Sequence, residues 1–471
     1  MSRGLLQSPW PYFAGAALLF VLLVASQIQV DRPARPVGGA EELLALRSRN
    51  DLNVVFLLVD TLRADRLGSY GYQRPTTPNL DQLAAGGILF ERVRSQSSWT
   101  KTSMASLWTG TRPAVNGILE SQHVVPDEAV LPAEVFQQAG YRTAGLWRNG
   151  WVAPNFGFDQ GFDSYVRPVA GRSRAQLQRG NPSTHPLQGT DEDLTTSAIE
   201  FLDNYGHQRF FLYLHYMDVH QYLYDDKAPS FGNSYSDAYD QSVNWTDRLI
   251  AHLVEALIER DLLAKTILVL ASDHGEAFNE HGSEGHARNL YREVAHVPLI
   301  LVPPFEIEGG IRVSEPVSNL DAFPTLLDLV GLELPHAEGR SLVPLILEAA
   351  GATAPEGSDG LRGRPIYTQI NRGWGRPKTP KRPLVGVRRG EWQMFHDLAD
   401  SSRDELYDEA SDPGQQRNLA SERAQEVAEL SSLAKEYVDG ATSPWGVAPP
   451  EVKLNELQLG QLRALGYAVE Q

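Results

Sequence analysis

The sequence predicts an α/β fold: a mostly parallel central sheet with helices on both faces, plus a smaller C-terminal α+β subdomain with an antiparallel sheet. Three observations predict it. Short, nearly uninterrupted apolar runs at 53–59, 209–215, 265–271 and 297–302 suit strands buried on both faces, as in parallel sheets. They alternate with amphipathic helical stretches at 194–204, 237–258 and 320–330, the pattern of strands joined by crossover helices. From about residue 349 a Gly/Pro-rich passage leads to an antiparallel hairpin around 384–395 and a charged helix at 421–437.

Taken in order, Pro11 to Ala25 is apolar, preceded by Arg3 and flanked by Trp10 and Tyr12. That length suits a signal peptide or a short membrane anchor. Leu23-Val-Ala25 is a poor cleavage site, so residues 1–30 are read as an anchor contacting the membrane. This reading places the rest of the chain in the periplasm of an inner-membrane protein, or exports it. A polar linker follows over 31–50, with a short helix at 41–49. Thr77-Pro-Asn-Leu opens a capped helix stopped by Gly86-Gly87. A helix over 103–108 ends at Thr109-Gly110, a strand is expected at 143–147, and Gly331 stops the helix at 320–330. The chain divides into 1–30, 31–50, a main domain at 51–348 and a C-terminal subdomain at 349–471.

The composition, 42% hydrophobic and 21% charged over 471 residues, supports a large self-sufficient core. A net charge of -17 argues against general nucleic-acid binding. The basic stretch from Arg372 to Arg382 reads as a solvated loop rather than a grip for an anionic substrate. The chain has no cysteine, which excludes disulfides, thiolate catalysis and zinc–cysteine sites and fits export.

The chemistry concentrates at strand ends. The run from Ile267 stops at Asp273-His274-Gly275-Glu276, and the run from Val54 stops at Asp60. Ligands collect at the carboxyl ends of strands in open α/β sheets, so two strand-tip carboxylates and an imidazole point to one shared cation. The plainer alternative for Asp60 is a helix N-cap. Ser98 to Gly110 is dense in hydroxyls, among them Thr100, Thr102 and Ser103. At a helix start such groups hold anions or simply cap. His220 follows a third strand, and His281 and His286 follow His274 in a Gly-rich loop. Of these, His286 is the better candidate for the substrate or a second metal.

These residues resemble the sulfatase family of the alkaline-phosphatase superfamily. Asn53 to Gly68 is similar to its opening motif, and Thr76-Thr-Pro-Asn-Leu-Asp81 and Gly157 to Asp163 to internal markers. Ser272-Asp-His-Gly-Glu276 resembles its second metal motif, and Glu405-Leu-Tyr-Asp408 with Asn418-Leu its C-terminal signature. Aligning Leu107-Trp-Thr-Gly110 with the family's Leu-x-Thr-Gly puts Thr100 where the family carries a cysteine oxidised to formylglycine. Met104 replaces the motif's arginine, Thr61 a second acidic ligand, and Gly145-Leu-Trp-Arg148 the family's Gly-Lys-Trp-His. Relatives with an unmodified threonine nucleophile include phosphoethanolamine and phosphoglycerol transferases of the cell envelope.

The resemblance implies a metal-dependent hydrolase or transferase. Asp60, Thr100, Asp273 and His274 would bind a divalent metal, zinc or manganese ahead of calcium. Thr100 would attack, and Arg148, Asn149, His220 and His286 would meet the substrate, an anionic phosphate or sulfate ester of a lipid or glycan. The altered sulfate-gripping residues favour phosphate. A sulfatase working without formylglycine and an inactive membrane-tethered binding protein are the alternatives.

Overall fold

The computed structural model describes residues 35–168, 189–353, 358–371 and 383–464. The expected N-terminal anchor and the basic stretch from Arg372 to Arg382 lie outside the described residues. The segment up to Pro36 is a unit of its own, and the body runs from Val37 onward. No helix among the described residues is long and apolar enough to cross a membrane.

The central sheet has eight strands: β1 (Asn53–Val59), β2 (Ile88–Phe90), β3 (Arg142–Leu146), β4 (Ser164–Val166), β5 (Phe210–Tyr216), β6 (Thr266–Ala271), β7 (Leu299–Val302) and β8 (Ile311–Val313). Their order across the sheet is β8-β2-β7-β6-β1-β5-β3-β4. β1 lies between β5 and β6, parallel to both, with Val54 opposite Phe211 and Ile267. β3 continues the parallel set beside β5, and β4 beside β3. β7 alone runs against its neighbours, β2 and β6.

Alternation along β1 explains the unbroken apolar run. Val54, Phe56 and Leu58 enter one core with Met104, Leu107 and Trp108 of α2 (Thr100–Thr109) and with Phe323, Leu326 and Leu327 of α6 (Ala322–Leu329). Val55, Leu57 and Val59 enter the other with Leu194, Ala198 and Leu202 of α3 (Asp191–Tyr205) and with Tyr239, Val243 and Leu249 of α5 (Tyr235–Glu259). Each large apolar side chain so buried contributes about 1.5–3 kcal/mol.

Helix starts follow local chemistry. Thr190 caps α3 and Ser234 caps α5, each accepting from an Asp three residues on. The helix α1 (Pro78–Ala85) differs from expectation. Thr77 makes no capping bond to it; the Asp247 carboxylate, brought across by α5, takes the N–H groups of Asn79 and Leu80 at 3.2 and 2.8 Å. α2 starts three residues earlier than expected, at Thr100, so the hydroxyl run belongs to the helix, whose ten residues are all buried.

Residues 37–48, read in the sequence as the end of the linker, belong to the body. Val37–Gly38 pairs with Glu306–Ile307, and Leu43 and Leu46 of the following helical turns are buried. At the other end, a four-stranded antiparallel sheet combines β9 (Ile366–Ile370), β10 (Leu384–Arg389), β11 (Trp392–Asp397) and β12 (Glu405–Asp408). The helix α7 (Ala424–Asp439) covers it through Leu430, Ala434 and Tyr437.

Candidate active site

The carboxyl ends of β1, β6, β3 and β5 converge with the start of α2. Asp60 follows β1, and Asp273 and His274 follow β6; one ligand atom from each lies within 4.8 Å of the others. All three are fully buried. Thr100, the first residue of α2, sets its Oγ1 3.0 Å from His274 Nε2. Asn149, beyond β3, donates its amide to Asp60 Oδ2 at 2.6 Å and reaches Thr100 Oγ1 at 3.4 Å. Asp60, Thr100, Asp273 and His274 therefore form one cluster.

Asp60 is not a helix cap. Its Oδ2 accepts from Asn149 and from His215 Nε2 at 3.0 Å, and His215 Nδ1 meets the Tyr213 hydroxyl at 2.8 Å. Tyr213 packs edge-on to Trp108 of α2. The ligand carboxylate is thus anchored through two side chains to the aromatic core. His215 was part of the strand signal in the sequence, yet its chemistry went unassigned, because an inward His inside an apolar strand looks like any other core position.

Asp273 is held by backbone. Its Oδ1 accepts from Thr61 N at 3.3 Å and His274 N at 2.9 Å, and its carbonyl accepts from Ser103 Oγ at 2.6 Å. Thr61 adopts φ +61°, a left-handed conformation that a β-branched residue rarely takes. It turns the chain back over the site. Gly275 is required for closeness: a Cβ there would sit 2.2 Å from the Glu293 carbonyl oxygen. Arg63, buried, bonds both the Glu276 carbonyl at 2.9 Å and Asp65 at 2.8 Å, tying the segments after β1 and β6 together.

The donor set fits a divalent cation. Asp60 Oδ1 and Asp273 Oδ2 are buried and accept no hydrogen bond among the described residues, although buried polar atoms are ordinarily satisfied. His274 Nδ1 lies 3.0 Å from the Gly275 carbonyl oxygen. That position carries the proton, and Nε2 faces the cluster with a lone pair, the arrangement of a ligating imidazole. Burial opposes ionisation of Asp60, but the His215 hydrogen bond and the His220 and His274 rings outweigh it and hold the carboxyl well below the usual range. Burial, and then the Asp60 charge, push Asp273 up. His274 is raised: burial lowers it, but the two carboxylates prevail.

His220 stands in α4 (Asp218–Gln221), the turn after β5. Its ring centroid is 4.9 Å from that of His286, which lies 4.5 Å from His274. His286 Nδ1 meets the Glu276 carboxylate at 3.2 Å. Both histidines thus border the cluster. Burial, helped by the two other imidazoles, pulls His220 down to about 4 against the Asp60 charge. His281 is directed elsewhere, to Glu293 at 2.9 Å and the Gln415 carbonyl at 2.9 Å, and stacks on Tyr291.

Arg148, expected to meet the substrate, is tied to protein groups in this structure. Its side chain is buried, and both terminal nitrogens bond protein acceptors: Asp191, Asp218, the Gly189 carbonyl at 2.7 Å and Gln221 at 3.1 Å. Two buried carboxylates beside it compete for the guanidinium. Lys101 also turns away from Thr100: its Nζ donates to the Ser121 carbonyl at 2.7 Å and lies 3.5 Å from the Phe156 ring centroid.

Comparison with known proteins agrees with this geometry. Residues 52–332 match the sulfatase family model, and residues 280–439 match the model of the N-sulphoglucosamine sulphohydrolase C-terminal region. Human arylsulfatase A is 26% identical over 438 residues, covering 78% of this chain and 83% of its own. Bovine arylsulfatase A is 28% identical over 346 residues, covering 63% and 68%. Among solved structures, the phosphonate monoester hydrolase of Agrobacterium radiobacter superimposes with a TM-score of 0.66 at 18% identity, covering 83% of this chain and 96% of that one. A protein solved with its substrate D-glucosamine-2-N,6-O-disulfate gives 0.64 at 20% identity, covering 82% and 98%. The family match spans the strand tips that bear Asp60, Asp273 and His274 and the helix start that bears Thr100, and the chain belongs to the sulfatase family, a family of ester hydrolases that use a divalent metal.

Proposed function

We propose that this chain hydrolyses anionic sulfate esters by attack of the Thr100 hydroxyl on sulfur, with Asp60, Asp273, His274 and Thr100 holding a divalent cation. The observation that carries the reading is the Thr100 hydroxyl at 3.0 Å from His274 Nε2, beside two carboxylate oxygens that accept no hydrogen bond among the described residues. When bound, the cation lowers the pKa of a coordinated hydroxyl and offsets charge on the transferring group. Zinc or manganese suits the mixed carboxylate, imidazole and hydroxyl donors.

The side chains divide the remaining work. His274 Nε2 keeps its lone pair for the cation, so the Thr100 proton leaves to solvent before the ester binds, and the Asn149 amide orients Asp60 and Thr100 together. As the Thr100 Oγ1–sulfur bond forms, the bond from sulfur to the ester oxygen breaks. That oxygen takes a proton from the His220–His286 side, where imidazoles border the cluster. Water then attacks the sulfuryl-threonine, releasing sulfate and restoring the hydroxyl. Burial of the whole cluster keeps these interactions in a low-dielectric setting.

The sulfated glucosamine of one structural neighbour and the arylsulfatase relatives support a sulfated glycan as the physiological ester. A second reading, a phosphonate or phosphate ester, is favoured by one observation. Leu146 and Arg148 stand where the family resemblance expects a lysine and a histidine, and Arg148 is engaged by Asp191 and Asp218. The apolar stretch between Pro11 and Ala25 supports a membrane-anchored enzyme outside the cytoplasm. Thr100→Ala should abolish turnover of aryl sulfate, aryl phosphonate and bis-aryl phosphate alike. Full activity of that variant on any of them would rule out Thr100 as the nucleophile, and the preferred ester of the wild type decides between the two readings.

A further inference from the structure

We propose that Arg148, clamped between Asp191 and Asp218, is a positioning residue that sets Asn149 and His220 in the reaction geometry and does not bind the substrate anion. The inference rests on the functional reading above and deepens it.

Three elements meet at this guanidinium. Arg148 leaves the end of β3 and immediately precedes Asn149, whose amide bridges Asp60 and Thr100. Asp191 is the first residue of α3. Asp218 begins α4, two residues before His220. Arg148 donates to both carboxylates, and the carboxylates in turn bind backbone across the same junction. Asp191 accepts the N–H groups of Met217 at 2.8 Å and Asp218 at 2.7 Å, and Asp218 Oδ2 accepts Asp191 N at 3.2 Å and Trp245 Nε1 at 3.1 Å. The side chains of Arg148, Asp191 and Asp218 are 2%, 0% and 1% exposed, so water cannot substitute for a missing partner.

Charge explains why an arginine is needed. Two carboxylates buried at one junction repel each other, and removing the cation between them would leave buried charge uncompensated. The forked guanidinium serves both carboxylates, the Gly189 carbonyl and Gln221 at once, which a lysine ammonium on a flexible stem does not reproduce. Removing it frees the ends of β3 and β5 to move apart. Those ends carry Asn149 on one side and His220 on the other, and displacement of a reacting group by about 1 Å costs on the order of 100-fold in rate.

The test uses full-length, metal-loaded protein and compares Arg148→Lys and Arg148→Met with Asn149→Ala, His220→Ala and the combined variants. With folding confirmed by circular dichroism, Arg148→Met should lower kcat by ~10- to 100-fold while KM for the ester stays within about threefold. Arg148→Lys should recover part of the loss. Added to the Asn149→Ala/His220→Ala double variant, Arg148→Met should cost little more, because residues acting as one unit are non-additive. A rise in KM at unchanged kcat, or fully additive losses, would overturn the proposal in favour of direct anion binding. Should Arg148→Met not fold, Gln221→Ala removes one of the four bonds and should give a smaller loss of the same kind; an unchanged kcat there overturns the proposal equally. Retained turnover in Thr100→Ala would sink the nucleophile assignment alone, since the coupling between Arg148, Asn149 and His220 is read relative to wild-type turnover whatever the nucleophile.

Discussion

His215→Ala separates support of the metal site from direct chemistry. Asp60 Oδ2 accepts two hydrogen bonds, from Asn149 at 2.6 Å and His215 at 3.0 Å, while Oδ1 accepts none among the described residues. The substitution halves the support of the oxygen that orients the ligand and strands the Tyr213 hydroxyl, 2.8 Å from His215 Nδ1. Loss of such an outer partner weakens metal binding ~10- to 100-fold, or about 1.4–2.7 kcal/mol. The unpaired tyrosine hydroxyl costs about 1–3 kcal/mol of folding stability in addition. Competition with a chelating dye for zinc or manganese measures the first, and urea unfolding of metal-free protein the second. At saturating metal, kcat should return to within a few-fold of wild type. Unchanged metal affinity with turnover abolished would refute this reasoning and make His215 a direct participant.

Two further substitutions test the frame of the site. Asp247 is raised to about 6 by burial, against the hydrogen bonds from Leu80 and Asn79. A carboxyl raised in the fold contributes stability that is full below its unfolded value near 3.8 and is lost as pH rises through about 6. The advantage of wild type over Asp247→Asn, from urea titrations, should therefore be greatest at the acidic end of that window and shrink by about 3 kcal/mol across it; a constant difference contradicts the assignment. Gly275→Ala would force a Cβ against the Glu293 carbonyl oxygen, so its crystal structure should show the turn that carries His274 displaced and metal affinity lowered, whereas an unmoved turn would contradict the packing argument.

Much of this was legible because strand ends carry a strong signal. An apolar run that stops at a carboxylate marks both a buried strand and the sheet edge where ligands gather, so Asp60, Asp273 and His274 could be grouped before any contact was known. The helices α3, α5 and α7 were visible to within a few residues from their periodicity. Short strands such as β2, β4 and β8, three residues each, carry too little pattern to detect and exist through their pairing. Side-chain destinations were harder. Arg148 reads as an anion-binding group in the sequence because it stands at a substrate-gripping position of the family motif. Its actual partners, Asp191 and Asp218, are 43 and 70 residues away, and nothing local announces them. Asp247 capping α1 from 167 residues' distance is illegible for the same reason.

The most direct test of the central claim is peptide mass spectrometry on wild-type enzyme quenched during turnover of an aryl sulfate or aryl phosphonate. The account predicts a sulfuryl or phosphonyl group on the peptide containing Thr100, localised to its hydroxyl and absent from Thr100→Ala. An adduct on another residue, or steady turnover by Thr100→Ala with Thr100 never labelled in the wild type, would contradict it.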